Sequence, residues 1–450
     1  MKRILIISHD KIGSKMAGTG MRYHSMAETL TEAGFDVTVG FFGPDYLPDD
    51  DFKRSYNVES VNVHQFEKAF GWADAIIAMW VSEAIIHFCN LHKKTLIFDI
   101  YAPVPVETMA LKTFSGKEIT AADEFEFESS HKDYRKFLEN GDAFLVSNQR
   151  QLDFWIGYAF GAGQTSPERY MQRNIFDQFL IAPMGIHAHQ KLTHTKTMYK
   201  GVLKGVAKDD IVMIWNGGIY DWYDGVTLIE AMELVHTMNP KIKMIFPGTV
   251  HPNKNLPKWQ ETINTQERAK ELKVEGKNVF FFNSWVDYHD RINFLLEADI
   301  AIYTHKPSIE SEFSHRTRVL DHILATIPTI ATKGDHFASL VEQHGLGAVV
   351  EAYDKKALAD AIVALAEPRK LAEAKRNLEK IRPSFDWAET LKPLITYLQS
   401  NPEKVPQTAP LRVTPLQNKK LSFVKKHTPL VVKKAAVKAM PKRIRNKLIG

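Results

Sequence analysis

Short runs rich in Val, Ile, Leu and Phe recur along the chain, separated by longer amphipathic or polar stretches. In the first half they are RILIIS (3–8), DVTVGFF (36–42), DAIIAM (74–79), TLIFD (95–99), DAFLVS (142–147) and FLIAP (179–183). The second half repeats the scheme with IVMIWN (211–216), IKMIFP (242–247), NVFFF (278–282), DIAIY (299–303), PTIAT (328–332) and GAVV (347–350). Near-continuous apolar strands alternating with helices such as MRYHSMAETLTEAG (21–34) predict parallel sheets covered on both faces. Two such series predict an α/β chain of two doubly wound, Rossmann-like domains facing a cleft. The first spans 1–190 and the second 205–385, with a closing helix over 386–400. In sheets of this kind ligands bind beyond the carboxyl ends of the strands.

At 450 residues the chain exceeds one typical core, in keeping with two domains. Its single cysteine, Cys89, excludes an internal disulfide and points to a reducing, cytoplasmic setting. The N-terminal apolar run ends at Ser8–His9–Asp10, too soon for a signal peptide, and no stretch reaches the ~20 apolar residues of a membrane span.

Charge is unevenly placed. Pro402, Pro406, Pro410 and Pro415 punctuate a linker, 401–415, and a basic tail, 416–450, follows it. Residues 411–450 hold twelve lysines and arginines and no acid, which leaves about −7 for residues 1–410 out of the net +5. Val424, Leu430, Val431, Val432, Val437, Met440, Ile444 and Leu448 are interleaved with those cations. This reads as an amphipathic segment drawn to anionic lipid, at about 1 kcal/mol per basic residue near the surface. A solvated tail is the alternative; a nucleic-acid partner is not expected, because Phe423 is the tail's one aromatic for base stacking.

Three loops follow strands and precede helices, where backbone N–H groups and the helix dipole favour anions. The first, SKMAGTGMRYHSMAETL, carries Gly18, Gly20 and Arg22, and reads either as an acceptor or phosphate loop or as an ordinary turn. The second, WNGGIYDWYDGVTLIEAM, places Gly217 and Gly218 directly after a strand, with Asp224 positioned as a helix N-cap. The third, SHRTRVLDHILATIPTIATKGD, puts Arg316 and Arg318 in the first turns of a helix expected to begin near Ser314. Arginines there run against the macrodipole unless an anion is bound. Asp321 follows on the same face as a candidate for a ribose diol, or as one half of an Arg318–Asp321 surface pair. Asp99 and Tyr101, at the end of a strand, sit where cleft residues sit, although Asp99 could equally cap a turn. The HAHQ spacing (187–190) lacks a carboxylate or cysteine in a ligand pattern and reads as a solvated hinge. No Gly-x-Ser-x-Gly elbow or Walker loop occurs.

With these loops in place, residues 1–400 resemble the GT-B glycosyltransferases, and specifically the bacterial family 4 retaining enzymes of polysaccharide synthesis. AGTGMRYHSMAETLTEAGFDVTV is similar to that group's acceptor-side loop, FDIYAPVPVE to its Asp–Leu–Tyr–Asp–Pro strand end, and SNQRQLDFWIG to a segment late in the N-domain. GGIYDWYDGVTLIEA, VFFFNSWVDYHDR and FSHRTRVLDHILATIPTIATKGD follow in the expected order, and SFDWAETLKPLITYL resembles the returning helix. The resemblance implies a nucleotide-sugar co-substrate held by the second domain and a glycan or lipid-linked acceptor held by the first. Gly217 and Gly218 match the phosphate-proximal glycines, Trp285 and Val286 lie where the base is held, and Asp321 matches the ribose-binding second acid of Glu-x7-Glu.

Two departures accompany the match. Asp221 and Asp224 stand where many members carry Arg and Lys, and the first acid falls at Phe313, one residue from Glu312. Arg316 and Arg318 are therefore the expected charges stabilising the leaving diphosphate, and Asp99 the expected acceptor-orienting group or base. By the same resemblance a leaving-group phosphate oxygen takes the acceptor proton, and no metal or other cofactor is implied. The location that fits is cytoplasmic, peripheral at the inner membrane face. A GT-B-fold sugar-nucleotide epimerase and a non-catalytic partner subunit are the alternative functions.

Overall fold

In the computed structural model, the apolar runs form strands of two sheets, and every strand pairing within them is parallel. The described residues are 1–400 apart from 14–15, 44–46, 49–50, 63, 166, 173, 249–258 and 283–289. The proposed linker, 401–415, and tail, 416–450, therefore lie outside them.

The first sheet comprises β1 (Arg3–Ser8), β2 (Asp36–Phe41), β3 (Asn57–Ser60), β4 (Ala75–Ala78), β5 (Thr95–Asp99), β6 (Ala143–Val146) and β7 (Phe179–Ile181), ordered β3-β2-β1-β4-β5-β6-β7. The second comprises β8 (Ile211–Ile214), β9 (Ile242–Phe246), β10 (Val279–Phe281), β11 (Ile300–Tyr303), β12 (Thr329–Thr332) and β13 (Gly347–Val350), ordered β10-β9-β8-β11-β12-β13. Ile4, Leu5, Ile6 and Ile7 are wholly buried, because helices cover both faces of the sheet. Each such side chain contributes about 1.5–3 kcal/mol. β3 escaped the sequence reading because it is a polar edge strand, NVES, with exposed ends.

Strand order reverses between β1 and β4 in one sheet and between β8 and β11 in the other. Such reversals open a crevice at the carboxyl ends of the strands. The first glycine loop follows β1, and Gly217–Gly218 follow β8. Helix caps fix where the second loop stops: Asp224 accepts a hydrogen bond from the Thr227 N–H at 3.0 Å and starts the helix Gly225–Met238.

After the second sheet the chain runs back to the first. Ile186 exchanges backbone bonds with this returning segment (Ile186 N–H to Phe385 O 2.8 Å, Trp387 N–H to Ile186 O 3.1 Å). The helix Lys392–Gln399 then lies against the first sheet, where Tyr397 Oη donates to Asp142 O at 3.3 Å and Lys2 Nζ to Leu398 O at 2.9 Å. Among the described residues no helix is long and apolar enough to cross a membrane.

Candidate active site between the two sheets

The glycine loop after β8 is built around a positive φ. Gly217 has φ +109°, a conformation L side chains rarely adopt, so the chain turns sharply and leaves its backbone bare. Arg318 closes over this turn. Its Nη2 donates to Gly218 O at 2.8 Å, and its guanidinium lies 4.3 Å from the Tyr223 ring centroid and 5.1 Å from that of Trp215. The other end, Nη1, is buried and has no hydrogen-bond partner among the described residues. A buried guanidinium donor without an acceptor carries a desolvation penalty that an anion at the loop would relieve. Gly217→Ala is expected to cost about 1–3 kcal/mol from the forced φ, which urea unfolding would measure, and to weaken any ligand held by the turn.

Arg318 begins the helix Arg318–Leu324, four residues later than the sequence suggested. Asp321 is on that helix and does not pair with Arg318. Its Oδ2 accepts from Asn216 Nδ2 at 3.2 Å, and its Oδ1 lies 3.4 Å from Arg291 Nη1. Asn216 Oδ1 is 2.6 Å from His322 Nε2, and His322 Nδ1 is 3.0 Å from Thr329 Oγ1. Burial, reinforced by Arg318, holds the His322 imidazole down to about 3, so it stays neutral and Nε2–H donates to Asn216. Asn216 thus fixes Asp321 at the edge of the glycine loop, with its side chain still 18% exposed.

Asp221 and Asp224, where the resemblance expected cations, are turned into the protein. Asp224 is the cap described above; Asp221 Oδ1 accepts from the Glu261 N–H at 2.9 Å. Lys306 Nζ donates to Asp221 O and to Glu261 Oε2, both at 2.9 Å. Neither aspartate presents its charge to the loop, and Arg318 supplies the cation there.

Arg316 takes a different position from the one expected. Ser308 caps a short helix, Ile309–Phe313, by accepting from the Ser311 N–H, and Arg316 falls in the connection after it. Its two Nη atoms donate to the two oxygens of Glu310 at 2.7 Å each, and the pair is buried. Burial works against the charge, but Glu310, Tyr223 and Asp335 raise the guanidinium's pKa above its ordinary value. The expectation that Arg316 binds diphosphate is corrected: its Nη atoms are consumed by an internal ion pair.

The acceptor-side prediction is also revised. Arg22 and Asp99, both wholly buried, form a two-point pair (Nε to Oδ2 and Nη2 to Oδ1, 2.7 Å each), and Arg22 Nη2 also donates to Ala182 O at 2.9 Å. Both Asp99 oxygens are taken and sealed from solvent, so Asp99 is not a free base or acceptor contact. Arg22 lies 4.6 Å from the Tyr101 ring centroid, and Tyr101 Oη is 3.3 Å from Thr19 Oγ1. The pair therefore braces Tyr101 against the start of the helix Gly18–Glu32. That helix has no side-chain cap at Ala17 and no acid in its first turn, leaving its N-terminal N–H groups available. Gly20 is there for space, since a Cβ would meet Lys11 O at 2.5 Å; Gly18 is open on that side.

Several residues of the cleft were not singled out in the sequence. Arg150 reaches from the first domain to Glu312 Oε2 (3.0 Å), to Gly334 O and to Ser339 Oγ (3.4 Å), and Gln151 Nε2 donates to Phe313 O at 2.9 Å. Arg291 Nη1 contacts Met21 Sδ at 3.5 Å, joining the first helix to Asp321. His315 is half-buried; both ring nitrogens are shielded and unpartnered among the described residues, and desolvation keeps it well below the usual histidine range. Glu107 and Glu310 complete the set. Trp285 and Val286, expected at the base, lie outside the described residues. The HAHQ histidines 187 and 189 are exposed, and no group of three metal-ligating side chains is present among the described residues.

Comparisons with known proteins bear on the fold. No curated protein matches the chain in sequence. Among solved structures, a sucrose-phosphate synthase from Thermosynechococcus elongatus superposes with TM-score 0.61 at 16% identity, covering 89% of this chain and 99% of that one. Anabaena HepE in complex with UDP-glucose gives TM-score 0.62 at 15% identity over 89% and 100% of the two chains. WaaG, a glycosyltransferase of lipopolysaccharide biosynthesis, gives 0.55 at 16% identity over 88% and 99%. The fold is that of the GT-B glycosyltransferases, and residues 204–380, which carry the Gly217–Gly218 loop, Arg318 and Asp321, match the family of group 1 glycosyl transferases.

Proposed function

We propose that the protein transfers a sugar, with retention, from a nucleoside-diphosphate donor to a glycan or lipid-linked acceptor in cell-surface polysaccharide synthesis. The observation that carries this reading is Arg318, held over the bare Gly217–Gly218 turn with a buried Nη1 that has no partner among the described residues. In this reading the diphosphate lies between that guanidinium and the turn, and Asp321 accepts from the ribose hydroxyls. Arg318 then stabilises the charge that grows on the leaving diphosphate, where a fixed donor is worth most. HepE's complex with UDP-glucose, on the same fold, supports a sugar nucleotide as the donor class. The uncapped helix Gly18–Glu32 and Tyr101 face the acceptor side.

Purified protein incubated with a nucleotide sugar and a glycan or lipid-linked acceptor is expected to release nucleoside diphosphate only when acceptor is present. NMR of the product would show the donor's anomeric configuration preserved. Sugar conversion from donor alone would instead indicate an epimerase, and an inverted product would overturn retention.

The basic tail is proposed to hold the enzyme at an anionic membrane surface near such an acceptor. Full-length protein is expected to co-sediment with phosphatidylserine-containing vesicles at low salt and to lose this on truncation after residue 400. The binding should weaken as salt screens it.

A further inference from the structure

We propose that Glu107 is the catalytic base of the transfer, taking the proton of the acceptor hydroxyl; this rests on the transferase reading above. Glu107 lies in the first turn of the helix Val104–Phe114, which starts just beyond β5 at the carboxyl edge of the first sheet. That helix packs across the cleft against Ile309–Phe313 of the second domain. Glu107 is half-buried there, and its carboxyl has no hydrogen-bond or ion-pair partner among the described residues.

The neighbouring carboxylates are occupied. Asp99 is held by Arg22, Glu310 by Arg316, Asp321 by Asn216 and Arg291, and Glu312 by Arg150. Glu107 is instead flanked by groups from both domains. Glu310 and Arg316 face it from the second domain, and Tyr220 of the glycine loop is within electrostatic range. From its own domain Tyr101 and Tyr134 face it. On the packed helix Ala121–Asn140, Asp123 pairs with Lys112 and Asp133 accepts from Trp80 Nε1 at 3.1 Å, while Glu126 lines a cavity with Val104 and Tyr134. A carboxyl at the carboxyl edge of the first sheet, on a helix packed against the second domain and without a partner among the described residues, is placed to meet an acceptor hydroxyl.

Its acidity fits the task. Burial, and then the charge of Glu310, push Glu107 up to about 7, with Arg316 opposing. A base serves best with a pKa near the working pH. In the step, the acceptor oxygen forms its bond to the anomeric carbon and its proton passes to the Glu107 carboxylate. The bond from that carbon to the diphosphate oxygen breaks, and its electron pair leaves on the nucleoside diphosphate. Glu107 later returns the proton to water. This assigns the proton to the protein, where the resemblance placed it on the leaving phosphate.

The test uses full-length wild type, Glu107→Gln and Glu107→Asp, with transfer measured between about pH 5.5 and 8.5 and donor binding followed by thermal shift. Because the base must be ionised, wild-type kcat should fall as pH drops through the Glu107 pKa. Glu107→Gln should keep its donor-induced shift, lose about 10²–10⁴-fold in kcat and lose the acid limb. Glu107→Asp should retain the limb at reduced rate. A Gln variant that turns over within about threefold of wild type, or a wild-type profile flat across this range, overturns the assignment while leaving the transferase reading intact. Absence of a donor-induced shift in the wild type overturns both.

Discussion

Arg318→Ala is expected to weaken nucleotide-sugar binding about 10–100-fold, the worth of one charge-assisted hydrogen bond to phosphate. Turnover should fall further, by about 10²–10³-fold, because the lost donor faces a charge that grows in the transition state. The fold should survive. Arg318 is only partly buried, and among the described residues its side chain gives one hydrogen bond, to Gly218 O, and its approach to two aromatic rings. Titration calorimetry with the donor, circular dichroism and initial rates would separate these effects. Arg318→Lys is expected to recover only part of the affinity. An ammonium keeps the charge but cannot bridge Gly218 O and a phosphate oxygen with a planar fork.

Arg316→Ala should behave in the opposite way. It strands the Glu310 carboxylate in a buried position after removing both of its 2.7 Å donors. Breaking a buried pair from one side costs about 3–5 kcal/mol, a large share of the stability of a domain. Chemical unfolding would show a lowered midpoint, and any lost activity should follow the unfolded fraction. Replacing the pair together, as Arg316→Met with Glu310→Leu, should restore part of the stability, because Glu310 is then not left buried and unpaired, although the buried Asp335 carboxylate, 3.5 Å from Arg316 Nε, still loses that neighbour. A mutant that stays as stable as wild type but binds no donor would mean that Arg316 belongs to the ligand site after all.

Those two arginines show where sequence reasoning reaches and where it stops. Strands such as RILIIS and IVMIWN were legible because both faces of a parallel sheet are covered, so the whole run is apolar. Gly217 was legible because a bare turn directly after a strand has few other uses. Arg316 and Arg318 look equivalent in SHRTRVLD, and only the break between the helices Ile309–Phe313 and Arg318–Leu324 separates them. That break directs Arg316 back to Glu310, six residues earlier, rather than along a helix face. Arg22 and Asp99 are 77 residues apart, and no periodicity within either segment announces their contact. Glu107 stood in plain view in PVPVE, but its distinction is that nothing among the described residues pairs with it, and that is a property of the surrounding fold.

The most direct measurement is a thermal-shift panel of UDP-, GDP-, dTDP- and ADP-sugars on wild type and Arg318→Ala, with Arg316→Met/Glu310→Leu as a folded control. A rise in melting temperature is expected with one nucleotide class, lost in Arg318→Ala and kept in the control. A rise of equal size in Arg318→Ala, or none with any nucleotide sugar in the wild type, would contradict a donor site at the Gly217–Gly218 turn.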